Sequence, residues 1–370
     1  MHALILLAQH HWTGAAEPTL QIARGLREGG HRVTFVFTRR PAGHLAPHVE
    51  AARVGVLPAV LLQRKGFHPL SMWRDRRLLR RFIKDEQVDV LFCHHSHDHW
   101  LAWTLRWNMV RPPALVRQLH MSKHLARRSD LAFLYKHSDR LIVPGESWQN
   151  RLIENYSLPA ERIVLLSAAV DTDVFQPTQP VEAIRREINA GPDTPLVCLV
   201  SRIKPGRGHD LALAAMEIVR QSKPDARLLF VGRGEGKDEL RALVRNKRAD
   251  AWAHFLGYRS DDLPAIYAAC GASLLLGEGS DGACRAALEA TACGTPVIAL
   301  PVGALPDTLL DGQTGFFAAA QPDDVAAKII RTLDETALAA SARQYAEENF
   351  AIKRRVDRAE TILTEAMQNR

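Results

Sequence analysis

Two series of short, mostly apolar runs, each followed by a loop and a helical segment, constrain what this 370-residue chain can fold into more than any other feature. The first series opens with Ala3-Leu4-Ile5-Leu6-Leu7, a loop around Thr13-Gly14, a helix from about Glu17 to Glu28 stopped by Gly29-Gly30, then Val33-Thr34-Phe35-Val36-Phe37. Apolar runs this short, bounded by turn residues, read as strands buried on both faces. Strand, glycine loop, helix, strand is the opening of a doubly wound α/β domain. Further strands are expected at 88–93, 114–119 and 140–143.

The stretch 171–180 carries Asp171, Asp173, Pro177 and Pro180 without periodic pattern and reads as a linker. A second α/β series starts at Leu196-Val197-Cys198-Leu199-Val200 and continues through 227–231, the region near Phe255, 272–276 and 297–300. The expected organisation is an N-terminal domain over 1–174, a second domain over 175–345, and a terminal helix over 346–370 that crosses back to the first. A ligand would lie in a cleft between two such domains, at the strand C-termini.

At 46% hydrophobic content the chain can fill two cores. The five cysteines, Cys93, Cys198, Cys270, Cys284 and Cys293, have no paired spacing, which favours a reduced, cytoplasmic protein without disulfides or a zinc site. No run approaches a membrane span, and residues 3–8 are too few for a signal-peptide core. The net charge is +7. Much of it sits in Arg64, Lys65, Arg74, Arg76, Arg77, Arg80, Arg81 and Lys84, interleaved with Phe67, Leu70, Met72, Trp73, Leu78, Leu79 and Phe82. Such a helix either lies on an anionic membrane surface through 74–84 or packs its apolar stripe into the core with a solvated basic face. No nucleic-acid motif accompanies the charge.

The chemistry concentrates in 278–297, EGSDGACRAALEATACGTPV. A short strand before it, a loop over 277–282 and a helix from Ala283 to Ala292 stopped by Gly294 place free N–H groups of Gly282, Ala283 and Cys284 at a helix start, where phosphate or sugar hydroxyls bind. Asp281 stands at the mouth of that site, and Glu289, about two turns on, leans back toward it. An N-capping Asp281 with a solvated Glu289 is the plain alternative.

Taken together, these segments resemble the family 4 retaining glycosyltransferases of the GT-B fold, two Rossmann-like doubly wound domains facing each other across a cleft. Residues 281–297 resemble the family's acid, seven residues, acid, A-x-A-C-G-x-P-V signature, 302–315 (VGALPDTLLDGQTG) the block after it, 201–208 (SRIKPGRG) the phosphate-binding segment, and 170–177 (VDTDVFQP) the linker entry. The resemblance implies that Arg202 and Arg207 hold the donor diphosphate, with Arg207 standing where Lys is common. Glu289 would accept from the ribose, Asp281 would meet the transferred sugar in place of the usual Glu, and His120, ending VRQLH, would face the reacting sugar. Gly14 would let backbone approach the diphosphate, although the usual glycine pair is reduced to Gly14-Ala15. Gly145 and Ala168-Ala169 depart from a serine and an Asn-Gly pair and bear on donor and acceptor detail.

The implied activity is retaining, metal-independent transfer from a nucleotide-sugar, with UDP favoured and GDP or ADP open, because base contacts come from backbone near Gly257-Tyr258. The acceptor would be a glycan or lipid-linked molecule in polysaccharide or lipopolysaccharide assembly, at the inner face of the plasma membrane. No cofactor is expected. Two other readings compete. The cluster His94-His95-Ser96-His97-Asp98-His99 resembles the H-x-H-x-D-H motif of metallo-β-lactamase-like hydrolases without the residue between His97 and Asp98. Within the transferase reading, His94 follows a strand and is an acceptor-side candidate, while His97 and His99 start a helix. A non-catalytic sugar-nucleotide binder is the third reading. The Asp171-Thr172-Asp173 triplet and the glycine-rich 232–236 are weak metal and dinucleotide signals.

Overall fold

The structure, a computed structural model, describes the chain except residues 13–14, 40–43, 63–68, 121, 278–282 and 369–370; helix residues 69, 122, 123, 283 and 284 are described by backbone alone. The chain divides into two units, Met1–Ala168 with Lys353–Arg370, and Ala169–Ile352.

The first unit carries seven parallel strands: β1 (His2–Leu7), β2 (Arg32–Phe37), β3 (Gly55–Val56), β4 (Val90–Cys93), β5 (Ala114–Gln118), β6 (Arg140–Val143) and β7 (Ile163–Leu165). Their order is β3-β2-β1-β4-β5-β6-β7. The order reverses between β1 and β4, which pair in register Ala3 to Val90 through Leu6 to Cys93. Every residue of β1 is buried, because helices cover both faces of a parallel sheet. The helix Ala16–Glu28 turns Ile22, Ala23 and Leu26 onto one face of it, while Leu79 and Ile83 of the helix Pro69–Asp85 pack with the other.

The second unit has six parallel strands: β8 (Leu196–Val200), β9 (Arg227–Val231), β10 (Ala253–Gly257), β11 (Ala272–Leu275), β12 (Val297–Ala299) and β13 (Gly315–Phe317). Their order, β10-β9-β8-β11-β12-β13, repeats the reversal, here between β8 and β11.

The terminal return begins at 353 rather than 346. The helix Ala337–Phe350 stays with the second unit because Arg343 donates to the carbonyls of Thr172, Phe175 and Ala292 at 3.1, 2.7 and 2.6 Å. The helix Ile352–Gln368 then buries Ala359, Ile362, Leu363 and Ala366 in the first core, and Arg355 donates to the Ser167 carbonyl at 2.9 Å. The first unit ends at 168, against a boundary expected at 174.

Candidate functional site

Open α/β sheets bind ligands beyond the strand C-termini at the reversal point. In the second unit that point is made of backbone. The loop 201–208 leaves β8, and Gly208, at φ +73°, caps the helix His209–Ser222. A β-carbon on Gly208 would stand 2.3 Å from the Leu276 carbonyl oxygen, so the loop lies directly on the end of β11. One on Gly234 would stand 2.0 Å from the Ile203 carbonyl oxygen, which closes the loop after β9 onto the same segment. This contact gives the glycines of 232–236 a packing role, apart from any dinucleotide turn.

Arg202 and Arg207 both rise from this loop. Arg202 is exposed and its guanidinium is 3.9 Å from Glu235, a distance worth little in solvent. Arg207 is partly buried, and its Nε is buried with no hydrogen-bond partner among the described residues. An orphaned guanidinium N–H is costly unless an anionic group completes it.

The helix Ala283–Ala292 begins and ends where the sequence pattern placed it. Glu289 on it is buried; Arg285 Nε donates to Oε1 at 2.7 Å and the Tyr267 hydroxyl to Oε2 at 3.4 Å. It is therefore not the solvated residue of the plain alternative. Burial, with the Glu289 charge beside it, pushes the Tyr267 phenol well above its usual range, so it remains a donor. Asp281, Gly282 and Gly14 lie outside the described residues, as do the side chains of Ala283 and Cys284. At the end of β10, Gly257 has φ +74°, and Arg233 lies over the exposed Tyr258 ring at 4.8 Å.

In the first unit the reversal point is made of side chains. Asp98, fully buried, accepts the Ala8 N–H on both oxygens at 3.1 Å and the His95 N–H at 3.0 Å, tying the ends of β1 and β4 together. It does so as the third residue of the helix Ser96–Arg106, in a capping box with His95. The rest of the histidine cluster disperses: His95 bonds Gln9 Oε1 at 3.2 Å and His99 bonds Ser138 Oγ at 2.7 Å. No three such ligands converge on a metal position among the described residues, so the hydrolase reading has no site here. Asp171 likewise accepts the Asp173 and Val174 N–H groups at 3.1 and 3.2 Å, forming a turn.

His94 is not the ligand-facing residue its position after β4 suggested. It is fully buried, packed on Phe92 at 4.4 Å between ring centroids, and its Nδ1 lies 3.1 Å from Thr19 Oγ1 and 2.9 Å from His120 Nε2. The side chain is held in the interior of the first unit, where Thr19 and His120 offer it partners. His120 itself is partly exposed. Burial, reinforced for His94 by His120 and Arg117 and for His120 by Arg117, holds both rings well below the usual histidine range, so both are neutral. Sequence reasoning did not single out Thr19, Arg117 or Asp98 in these roles. Only Asp98 left a signal, an acid at the third helical position.

Comparison with known proteins falls in line with this architecture. The model for "Glycosyltransferase Family 4" matches residues 12–174 and that for "Glycosyl transferases group 1" residues 180–349. D-inositol 3-phosphate glycosyltransferase of Corynebacterium aurimucosum is 29% identical over 248 residues, covering 61% of this chain and 59% of that protein. The match thus spans about three-fifths of the relative's length. A glycosyltransferase from Rickettsia africae has the same fold, with TM-score 0.84, 18% identity and coverage of 100% and 99% of the two chains. HepE from Anabaena, solved with UDP, gives TM-score 0.80 at 18% identity, over 99% of this chain and 100% of that one. The chain belongs to the family 4 glycosyltransferases and has the GT-B fold.

Proposed function

We propose that this protein transfers a hexose, N-acetylhexosamine or heptose from a nucleotide-sugar, with UDP favoured, to a glycan or lipid-linked acceptor, with retention and without a metal. The observation that carries the reading is the Arg207 Nε, buried without a hydrogen-bond partner among the described residues on a loop packed onto the end of β11. A donor diphosphate supplies the acceptor that this group lacks, and Arg202 adds a second positive charge. Glu289, held by Tyr267 and Arg285, supplies a carboxylate for ribose hydroxyls, and the backbone near Gly257-Tyr258 faces the base. UDP bound to HepE supports the nucleotide, on a shared fold.

In this reading the bond from the anomeric carbon to the phosphate oxygen breaks, and its electron pair leaves with the nucleoside diphosphate. The acceptor hydroxyl oxygen bonds the same carbon from the same face, and its proton passes to the departing phosphate. Arg202, Arg207 and the helix start at Ala283 stabilise the charge that develops there, each such donor lowering the barrier by about 3 kcal/mol. Asp281 and His120 meet the transferred sugar, as the resemblance implies, and Gly14 approaches the diphosphate. The relative named for D-inositol 3-phosphate favours a second acceptor class, a phosphorylated polyol, over the polysaccharide or lipopolysaccharide assembly expected from the family.

Calorimetric titration with UDP, GDP and ADP, with and without EDTA, tests the proposal. One nucleotide should bind, indifferent to EDTA, and Arg207→Ala and Glu289→Ala should each weaken it on the order of 10- to 100-fold, the equivalent of one or two charge-assisted hydrogen bonds. Equal affinity in both variants, or binding of none of the three, would sink it.

A further inference from the structure

His94 does not reach a ligand, yet it is bonded to the one histidine that the proposed function sets against the sugar. The proton positions in this cluster follow from its partners. Thr19 Oγ1 lies 2.6 Å from the Ala15 carbonyl oxygen, and a carbonyl can only accept, so the hydroxyl proton is committed there. Toward His94 Nδ1, 3.1 Å away, the same oxygen therefore accepts, which makes Nδ1 the protonated nitrogen of His94.

The far side of the ring gives the same answer independently. His94 Nε2 is buried with no hydrogen-bond partner among the described residues. A bare lone pair there costs less than a buried N–H without an acceptor, so Nε2 is the unprotonated nitrogen. A doubly protonated ring would strand an N–H at that position and is disfavoured by burial as well. The Nδ1–H of His94, shared between Thr19 and a second acceptor, lies 2.9 Å from Nε2 of His120. That nitrogen must then hold a lone pair, and neutral His120 carries its proton on Nδ1.

We propose that the Ala15 carbonyl, Thr19 and His94 form a buried relay that fixes His120 as its Nδ1–H tautomer, so that His120 offers a substrate oxygen a hydrogen-bond donor and cannot take the acceptor's proton. The tautomer stands on the geometry alone; its consequence for transfer rests on the proposed function. His94 is on this account a positioning residue. With the Nε2 lone pair of His120 occupied and Nδ1 already protonated, the proton released by the acceptor hydroxyl goes to the departing phosphate.

Nitrogen NMR of the full chain with ring-labelled histidine, free of nucleotide, reads the tautomer directly, His120 being assigned by the signals lost in His120→Gln. The wild type should show Nδ1 protonated and Nε2 bare, and His94→Leu should let the Nε2–H form grow. Thr19→Val, nearly isosteric, removes the hydroxyl acceptor but leaves His94 Nε2 without a partner, so it should raise the Nε2–H form of His120 by a smaller amount, and it covers the case in which His94→Leu fails to fold. An Nε2–H His120 in the wild type, or spectra unchanged in the variants, overturns the relay. In a transfer assay His94→Leu should lower kcat on the order of 10- to 100-fold, the range seen when the partner orienting a working histidine is removed, with the donor KM unchanged. His94→Asn, which restores an N–H donor near the Nδ1 position, should recover much of it. Equal activity of the Leu and Asn variants would reduce His94 to packing. Should no nucleotide-sugar support transfer, the proposed function fails while the ring spectra still decide the tautomer.

Discussion

At the reversal point of the first unit, β1 and β4 are joined by a buried carboxylate and backed by buried imidazoles, whereas at the same point of the second unit β8 and β11 are joined by backbone lying on backbone at Gly208. One strand order is thus finished in two materials. Side-chain ties carry charge and protons and respond to pH and to single polar substitutions. Backbone contacts carry neither and respond to added volume. The difference suits the roles proposed for each unit, a histidine with a fixed proton in one and a rigid phosphate shelf in the other.

The comparison breaks most visibly at Asp98. Asp98→Ala removes the acceptor of two buried backbone N–H groups, Ala8 and His95, and should cost about 3–5 kcal/mol, because the donors stay buried and unpaired. Hydrogen exchange should report faster opening at β1 and β4 with β8 and β11 unchanged. Equal protection in β1 and β4 would mean that the carboxylate tie is not what holds them.

Acid comes next. His94, His99 and His120 all have folded-state values lowered chiefly by burial, so the unfolded chain takes up protons first as pH falls. Their contribution is present above the unfolded value near 6.5 and is lost as pH drops below it. Each fully neutral ring should remove about 1.4 kcal/mol by pH 5.5, so the three together withdraw about 4 kcal/mol from the first unit. In the second unit His209, pushed down to about 4 by burial, works in the same direction as one ring, with a smaller effect from half-buried His254. Unfolding followed from pH 7.5 to 5.5 should show the first unit losing stability faster, and parallel slopes would contradict the contrast.

Volume tests the other side. Gly234→Ala puts a methyl 2.0 Å from the Ile203 carbonyl oxygen and should displace the loop that bears Arg202 and Arg207. Nucleotide affinity should fall with a stability cost of about 2 kcal/mol, most of it strain against rigid backbone. Unchanged affinity at that cost would separate the shelf from the site.

These contrasts explain what could be read from residues alone. The second unit was legible because the features of its proposed site lie in local sequence: SRIKPGRG, the glycines that let segments touch, and a helix whose limits, Ala283–Ala292, follow from its flanking loop and Gly294. The first unit was legible as a sheet, since β1 is apolar from Ala3 onward and β4 throughout, but its polar interior was not. Thr19, His94 and His120 are brought together from three elements 75 and 26 residues apart, and no spacing rule predicts that a histidine ending a buried strand turns inward to meet a threonine on the first helix. The metal alternative arose for the same reason, because six clustered residues look convergent in sequence while the helix start at Ser96 sends their side chains to separate partners.

The last contrast concerns surfaces, and again separates the units. The helix Pro69–Asp85 does bury Leu79 and Ile83, as a solvated basic helix would, yet its first turns expose Leu70 and Trp73, 84% and 60% accessible, next to Arg74 and Arg77. The later turns thus pack as the core reading expects, and the first turns expose the apolar groups that a surface-lying helix would need. Arg77 lies over the Trp73 ring at 5.7 Å, an arrangement in which an aromatic group can enter a lipid headgroup layer with a cation beside it. No helix among the described residues is long and apolar enough to cross a membrane, so attachment of this kind would be at the surface. Replacing Arg77, Arg80 and Arg81 with Ser removes three charges worth about 1 kcal/mol each near an anionic bilayer, and should lower binding to phosphatidylserine vesicles on the order of 100-fold at low salt. Trp73→Ser should weaken the same binding by a smaller, salt-independent factor. Neither change should alter nucleotide affinity, proposed for the other unit, and vesicle binding insensitive to both would return the whole helix to the solvated reading.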